Sequence, residues 1–312
     1  MSTHRPFRFG VQTSKAADRA GWVELATRVE GHGFDVLTIP DHFDDQFAPI
    51  PALMTVANAT TTLRVGALVW DNDYKHPLVL AKELATMDLL SDGRVEIGIG
   101  AGWERSDYDR SGIVYDTAKV RIDRFVEGLA IIKGAMGAAP FSHAGEHYTI
   151  TEYTGHPQPV QRPCPPILIG GGGKRVLGIA AREADIVGIN STQINGVVDH
   201  ASLLTMTAEA VEDKVNIVKA AAGDRFDRIE LNVRVYVSQF TTDRLARMTD
   251  LAAGFGVPVA SMEHSPFVLI GTAEQMVEDL LARRERWGFS YMTVNAADID
   301  AFAPVVSALA GR

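Results

Sequence analysis

Short apolar runs of strand length alternate with amphipathic helical patterns along nearly the whole of this 312-residue chain. Eight such runs occur, and each of them is followed by a helical pattern. This alternation predicts one (β/α)8 TIM barrel of class α/β that spans residues 1–312 as a single domain. An open, doubly wound sheet is the alternative architecture. The predicted strands are 7–12, 34–40, 64–70, 94–99, 167–169, 186–189, 230–238 and 291–295, and the predicted helices are 22–30, 52–62, 78–90, 121–136, 174–184, 204–222, 272–287 and 299–309.

The stretch 165–190 is the clearest unit of this pattern and reads PPILIGGGGKRVLGIAAREADIVGIN. It predicts a strand, a glycine turn, a helix and a second, parallel strand. Glycines between a strand and a helix let backbone N–H groups converge on an anion, and Lys174 and Arg175 add positive charge at that point. The alternative is that the glycines only form a tight turn. The turn is formed by Gly170, Gly171, Gly172 and Gly173.

In a TIM barrel the carboxyl ends of all eight strands meet at one rim, and that rim carries the active site. The predicted strands place on this rim a set of residues that lie far apart in the sequence. The segment 138–165, after the helix that follows the fourth strand, is too long for an ordinary connection, so we interpret it as a functional insertion. The predicted rim residues are Asp41, His42, Trp70, Asp71, Gly100, Gly102, Trp103, Gly170–Gly173 and Asn190.

His42 is the best candidate for proton transfer, because imidazole titrates near neutral pH and the preceding Asp41 can bias its charge. A structural histidine is the alternative. We expect no metal site, because the other strand ends offer mostly Gly, Trp and Asn rather than further ligands. The glycines together with Trp70 and Trp103 favour a flat, polycyclic, phosphorylated ligand, although both tryptophans could equally be packing residues.

Composition narrows the partners and the compartment. The net charge of −9 argues against a nucleic-acid or anionic-membrane partner. Cys164 is the one cysteine, so no internal disulfide can form, which suits a reducing compartment. No apolar run approaches bilayer length, and the N-terminal MSTHRPFRFGVQ lacks the apolar core of a signal peptide. We therefore expect a cytoplasmic protein.

At this point the chain resembles the luciferase-like monooxygenase superfamily, and within it the group of coenzyme F420-dependent oxidoreductases. The resemblance covers nearly the whole chain. It is carried by LTIPDHF (37–43), LSDGRVEIGIGAGW (90–103), the R-x-x-R-x-x-E pattern of Arg121, Arg124 and Glu127, the segment 159–190, and GTAEQMVEDLLARRERWGFSY (271–291).

The resemblance implies a TIM barrel with an insertion after the fourth strand and a flavin-like ring bound at the carboxyl rim. Asp41 and His42 match the site pair after the second strand, and His42 would handle the proton that accompanies hydride transfer. Homodimers are common in the superfamily, so a homodimer is expected by analogy. The positions that match cofactor-contacting segments are Val69 and Trp70, where relatives often hold a non-proline cis peptide, the loop of Gly100, Ala101, Gly102 and Trp103, and the turn Gly170–Gly173 near the phosphate-bearing tail.

Two positions depart from the family pattern. Relatives usually place a Glu four residues after the tryptophan of the fourth loop, where this chain has Asp107, so a role that needs the longer side chain is in doubt. Relatives often have Gly-Trp after the sixth strand, where this chain has 188–190, Gly-Ile-Asn.

The function that these features predict is hydride transfer between coenzyme F420 and a small organic substrate. A 5-deazaflavin carries two electrons and reacts poorly with oxygen, so the protein would orient the reactants and transfer protons. Two alternatives stay open: an FMN-dependent monooxygenase that uses a separate reductase, and a cofactor-binding protein without catalysis.

Overall fold

Eight parallel strands form a closed barrel in the computed structural model, which describes residues 5–193, 196–197 and 199–312 of the chain. Each strand pairs with the next along the chain, and the last pairs with the first, so the sheet has no free edge. The expected TIM barrel is confirmed. The barrel strands are β1 (Arg8–Gln12), β2 (Val36–Ile39), β3 (Arg64–Ala67), β4 (Val95–Gly100), β5 (Ile167–Gly171), β6 (Ile186–Ile189), β7 (Glu230–Arg234) and β8 (Phe289–Asn295).

Helices cover the outside of the barrel, and their ends carry recognisable caps. The Asp18 side chain accepts the Gly21 N–H at the start of α1, and Thr272 and Gln275 form a capping box at the start of α11. The helices are α1 (Arg19–Gly31), α2 (Pro49–Ala59), α3 (Pro77–Leu90), α4 (Arg105–Ser111), α5 (Ala118–Met136), α6 (Lys174–Glu183), α7 (His200–Leu204), α8 (Ala208–Ala222), α9 (Arg244–Phe255), α10 (Val259–Glu263), α11 (Ala273–Trp287) and α12 (Ile299–Leu309).

Alternation along the strands divides the barrel side chains into two buried layers. The outward layer, between barrel and helices, includes Ile97 and Ile99 of β4 and Ile167 and Ile169 of β5. The inward layer is a smaller apolar cluster that includes Leu168. Residues at even positions of β4 and β5 therefore face the barrel interior, which decides which side chains reach the site.

The predicted strand 64–70 is interrupted. β3 ends at Ala67, the Leu68–Val69 peptide is cis, and Trp70–Asp71 pairs with Ile99 and Gly100 of β4. The cis peptide lies in the segment where the resemblance implied one.

The predicted strand 230–238 and helix 204–222 are each wrong as single elements. β7 ends at Arg234, and Val237–Phe240 pairs instead with Val268–Gly271 in a separate two-stranded parallel sheet. Thr207 caps α8, so the helical pattern divides into α7 and α8. Sequence analysis did not predict α9, α10 or the strand Val268–Gly271, which together build an excursion between β7 and β8.

The expected insertion after the fourth strand contains an antiparallel hairpin, Phe141–Ala144 with Thr149–Tyr153. The Glu127 carboxylate of α5 accepts the backbone N–H groups of residues 146, 147 and 148 at 2.9 to 3.1 Å. The hairpin is therefore fixed to the helix that precedes it.

Within the described residues, none of the helices combines the length and the apolar character needed to cross a bilayer. Residues 1–4, 194, 195 and 198 lie outside the described part of the chain, and the first four belong to the N-terminal segment considered above.

Candidate active site at the carboxyl end of the barrel

His42 lies just beyond the carboxyl end of β2 and is paired with a carboxylate of α4. Its Nδ1 lies 2.6 Å from Oδ2 of Asp107, whose side chain is almost fully buried. The Tyr74 hydroxyl donates to the same oxygen at 2.8 Å, and the Phe43 N–H donates to the other at 3.1 Å. Because an ionised carboxylate only accepts hydrogen bonds, this network assigns the proton of neutral His42 to Nδ1 and leaves Nε2 as an acceptor.

Asp41 and Asp71 lie next to each other at the same end of the barrel; Asp71 is buried and Asp41 is partly buried. Oδ2 of Asp41 accepts the backbone N–H of Asp71 at 3.2 Å. Burial raises the pKa of the Asp41 carboxyl to about 6. Burial likewise raises the pKa of Asp71 to about 7, and the charge of Asp73 adds to that shift. Two carboxyl groups at this end of the barrel therefore change protonation near neutral pH.

The R-x-x-R-x-x-E pattern of α5 fixes the loops around the site. Arg124 donates to both carboxylate oxygens of Asp73, at 2.7 and 2.8 Å, in a bidentate ion pair. The Tyr108 hydroxyl also donates to Asp73, at 3.0 Å, and to Asp71, at 3.2 Å. One helix thus positions the loop after β3, while its Glu127 fixes the hairpin described above.

Glycines occupy inward-facing positions near the carboxyl end of three neighbouring strands: Gly98 and Gly100 on β4, Gly170 on β5 and Gly188 on β6. The Val69 side chain projects over the first three of them. Cβ atoms built on Gly98, Gly100 and Gly170 would lie 3.3, 2.9 and 3.8 Å from its methyl carbons. We call these five residues the glycine cradle. A Cβ on Gly98 would also lie 2.0 Å from the Ala67 carbonyl oxygen, so that glycine is required by the backbone packed against it. Gly170, where a Cβ would meet only Val69, leaves room that a flat ring could occupy.

The four glycines of the turn after β5 serve different purposes. Gly170 faces the cradle, whereas a Cβ on Gly172 would lie 2.2 Å from the Ser191 carbonyl oxygen. Glycine at 172 is therefore required by the chain that crosses it after β6. A Cβ on Gly173, the residue before α6, would meet nothing within 4 Å, so the start of α6 is open. The Arg175 guanidinium is paired with the Asp123 carboxylate, which offsets the positive charge predicted there.

The two predicted rim tryptophans have different environments. The Trp103 ring lies 5.8 Å from the His42 ring at nearly a right angle, so this indole contacts the site. Trp70 is 1% exposed and belongs to the apolar layer between barrel and helices. It pairs with Ile99, which also faces outward. Trp70 thus packs as a core side chain and presents no indole surface at the mouth, which corrects the expectation of two rim indoles.

The remaining predicted positions lie around the same mouth. Gly102 has φ +74°, and a Cβ there would collide with the Tyr108 hydroxyl, so glycine is required. Ala101 packs partly against the core. The Asn190 amide oxygen accepts a hydrogen bond from the Tyr236 hydroxyl at 2.8 Å. The structure therefore gathers the predicted residues at one end of the barrel.

Sequence analysis did not identify the partners of the predicted residues. Asp107 was noted only as a departure from the family pattern, yet its short side chain reaches His42 directly. Tyr108 was noted only as the aromatic residue that follows Asp107, and Tyr74 and Tyr236 were not singled out. Their positions in the sequence could have indicated them. Asp107 comes shortly after β4 and Tyr74 shortly after β3, and the segments after both strands lie on the predicted rim. Across the described ranges, no three His, Cys, Asp or Glu side chains are grouped so that they could hold a metal ion.

Comparison with known proteins gives relatives of two cofactor types. The sequence model described as luciferase-like monooxygenase matches residues 1–237. The F420-dependent glucose-6-phosphate dehydrogenase of Nakamurella multipartita is 30% identical over 260 residues, which cover 80% of this chain and 72% of that enzyme. The FMNH2-dependent dimethylsulfone monooxygenase of Pseudomonas putida is 25% identical over 249 residues, 76% of this chain but only 64% of that enzyme, less than two thirds of its length.

Among solved structures, the coenzyme F420-dependent tetrahydromethanopterin reductase of Methanopyrus kandleri has a TM-score of 0.77 to this chain. The superposition covers 98% of both chains at 17% sequence identity. A likeness at that identity concerns the fold, and it agrees with the closed barrel described above.

Proposed function

The chain belongs to the luciferase-like monooxygenase family, and on that premise we propose that it is an oxidoreductase that transfers a hydride between coenzyme F420 and a small organic substrate. The observation that carries the proposal is the His42–Asp107 pair at the same end of the barrel as the glycine cradle. A proton-transferring group beside space for a flat ring is what hydride transfer to or from an alcohol or carbonyl requires.

The residues present fit a flat redox ring. Within the glycine cradle Gly170 leaves space, Val69 offers an apolar contact, and Oε1 of Gln12 is buried without a hydrogen-bond partner among the described residues. An N–H group on the edge of a ring could satisfy that oxygen. For the phosphate tail we propose the turn Gly170–Gly173 and the open start of α6.

The bound coenzyme supplies the hydride acceptor or donor. In the oxidising direction, Nε2 of His42 accepts the substrate hydroxyl proton while the carbon-bound hydrogen leaves with its electron pair. The Asp107 carboxylate stabilises the imidazolium that forms, and Tyr74 and the Phe43 N–H hold that carboxylate in place. In the reducing direction the same nitrogen returns the proton to the developing alkoxide. Trp103 packs against the imidazole and limits the access of water.

A second candidate function is an FMN-dependent monooxygenase supplied with reduced flavin by a separate reductase. The similarity to the Pseudomonas putida enzyme over 76% of this chain favours it. The cradle and His42 would serve either cofactor, so the ring that binds decides between the two functions.

The test is a fluorescence titration of the purified protein with F420 and, separately, with FMN. We expect F420 to bind at least about tenfold more tightly, a difference of about 1.4 kcal/mol. Carbonyl compounds of a small panel should then oxidise reduced F420, and the corresponding alcohols should reduce oxidised F420. Preferential binding of FMN would replace the first function by the second, and tight F420 binding without any turnover would indicate a non-catalytic binding protein.

A matched pair of variants locates the site. Gly170→Val should weaken binding of either ring, because the valine side chain would project into the cradle. The variant should still fold, since a Cβ at this position lies at an ordinary contact distance, 3.8 Å, from Val69. Gly178→Ala, on α6 and away from the cradle, should bind as the original protein does. Equal binding by both variants would place the cofactor elsewhere.

A further inference from the structure

An apolar cavity of about 290 Å³ adjoins the candidate active site, outside the glycine cradle. Three parts of the chain enclose it. One is the segment after β6 that includes α7, and another is the chain that leaves β7 at Tyr236. The third is the excursion through α9 and α10, which returns at Phe267 and Val268. The excursion that sequence analysis did not predict thus supplies much of the wall.

The wall of this cavity is uncharged. All of its described lining residues are apolar or carry only a hydroxyl group. Lys214, Arg283 and Arg234 lie close behind it but are not among its lining residues. The Arg234 guanidinium lies over the Tyr236 ring, 4.8 Å from its centroid, and donates to the Asn295 amide oxygen at 3.1 Å. Lys214 donates to the carbonyl oxygens of Asn190 and Thr205, each at 2.7 Å. Arg283 donates to that of Val268 at 2.6 Å. The cavity therefore offers no cation to a phosphate or carboxylate ligand.

The cavity lies next to the rim of the barrel, and part of its wall is exposed to solvent. Ser191 and Tyr236 line it, and the Tyr236 hydroxyl donates to Asn190 on the rim. Leu204 and Phe255 also line it, yet they are 49% and 39% exposed. Large apolar side chains that remain exposed around an opening are typical of ligand entrances.

From this geometry we propose that the cavity binds the apolar portion of the substrate, a hydrocarbon chain or ring on a neutral alcohol or carbonyl compound. The reacting carbon would then lie in the mouth, between the cradle and His42. The volume is about twice that of an engineered cavity that holds benzene, so it suits a group of about ten carbon atoms. A sugar phosphate, the substrate named for the Nakamurella relative, has no complementary charge in this wall. The chemistry of the reaction rests on the proposed function, whereas the cavity and its preference do not.

A binding experiment that needs neither cofactor nor turnover tests this proposal. The probe is N-phenyl-1-naphthylamine, a neutral dye whose fluorescence rises in apolar surroundings. We expect saturable binding that 1-octanol displaces and glucose 6-phosphate does not. Ser261→Phe, which fills the cavity from α10, should weaken dye binding about tenfold or more. Ala260→Phe adds the same ring at the exposed neighbouring position and should leave binding unchanged.

A second pair guards against a folding defect in the first. Met262→Glu and Met262→Gln have nearly the same volume and differ in charge, so the glutamate variant should bind the dye more weakly than the glutamine variant. Thermal unfolding of each variant shows whether the fold is retained. The proposal would be overturned if the dye affinity were the same within each pair of variants, or if glucose 6-phosphate displaced the dye.

The two proposals fail separately. F420 titration of the same preparations reports on the cofactor site alone, and Ser261→Phe should leave it unchanged. Loss of F420 binding in the original protein with normal dye behaviour would remove the proposed function and keep the cavity. Normal F420 binding together with dye binding that Ser261→Phe does not change would remove the cavity proposal and keep the proposed function.

Discussion

The buried carboxyl groups at the two ends of the barrel interior differ in their partners. At the amino end, Arg8 forms ion pairs with Glu96 and with Glu230, the latter at 2.8 Å, and Arg64 reaches Glu96 at 2.8 Å. The Arg8 guanidinium also lies over the Tyr291 ring, 4.8 Å from its centroid. Glu96 and Glu230 thus each have a cation as a direct partner.

At the carboxyl end, Asp73 is paired with Arg124 and Asp107 with His42, but within the described part of the chain two further carboxyl groups lack such a partner. Asp41 and Asp71 have no cation in hydrogen-bonding contact among the described residues, and burial raises the pKa of both. Glycines replace side chains on β4, β5 and β6. A barrel can carry such a costly arrangement at one end because the other end and the outer apolar layer supply stability. Substitutions at the amino end should therefore change stability, and those at the carboxyl end should change binding, turnover or pH dependence.

The largest effect is expected for His42→Ala. Loss of the proton-transferring group should lower turnover about 10²- to 10⁴-fold, with little change in thermal stability. The measurement is steady-state oxidation of reduced F420 with a substrate identified from the panel. His32→Ala is the matched control, because His32 pairs with Asp300 on the surface and lies between α1 and β2, at the amino end of the barrel. Unchanged turnover in His42→Ala would remove this residue from the mechanism.

The next largest effect concerns the pH dependence of stability. Because the pKa of Asp71 is raised to about 7, the folded protein binds more protons than the unfolded chain between about pH 4 and pH 7, so stability is lost as the pH rises through that window. Asp71→Asn cannot ionise. It should unfold at nearly the same denaturant concentration as the original protein at pH 4, and be more stable by roughly 2 to 4 kcal/mol at pH 8, about 1.4 kcal/mol per pKa unit.

Denaturant unfolding at several pH values measures this difference, and Asp300→Asn is its control. The Arg28 guanidinium lowers the pKa of Asp300, so that substitution should have the opposite sign. A stability difference between Asp71→Asn and the original protein that does not vary with pH would contradict the assignment of a raised pKa.

Arg8→Ala should have a smaller effect, and on stability alone. It leaves Glu96 and Glu230 without their shared partner. Breaking a buried pair costs about 3 to 5 kcal/mol, but the Arg8 side chain is 26% exposed, so about 2 to 3 kcal/mol is expected. Arg28→Ala removes a surface pair and should change stability much less than Arg8→Ala. The affinity for F420, measured on folded protein, should not change, and a loss of affinity would show that the two ends are coupled.

The barrel could be predicted from sequence because it rests on local patterns. Apolar runs and glycine or capped helix boundaries are read within ten or twenty residues, and the strand positions hold to within a few residues. The errors arose where the decisive partner is distant. Val237–Phe240 continues the apolar run of β7, but its hydrogen bonds go to Val268–Gly271, about thirty residues later. No local signal states which partner a strand selects.

The candidate site shows the same division. Asp41 and His42 could be placed on the rim because they follow a strand directly. The contact between His42 and Asp107 spans 65 residues and depends on how the loop after β4 turns into α4. The sequence also could not show why residue 172 must be glycine. A side chain there would collide with the Ser191 carbonyl oxygen, which belongs to the segment that crosses it after β6.

Asp107→Asn should have the smallest effect of the four substitutions and is the most informative about mechanism. The amide retains the shape of the carboxylate but loses its charge, so turnover should fall about 10- to 100-fold. A purely structural role would lower the rate equally at every pH. If the carboxylate stabilises an imidazolium on His42, its loss should also move the acidic limb of the pH–rate profile for substrate oxidation to lower pH.

Two further variants at this position separate charge from geometry. Asp107→Glu restores the carboxylate that the family usually has and should recover most of the turnover and the original pH profile. Tyr74→Phe removes one donor to the same carboxylate oxygen and should cost less than Asp107→Asn. A pH profile that is identical in Asp107→Asn and the original protein would show that the carboxyl end, like the amino end, uses this acid only to hold the structure together.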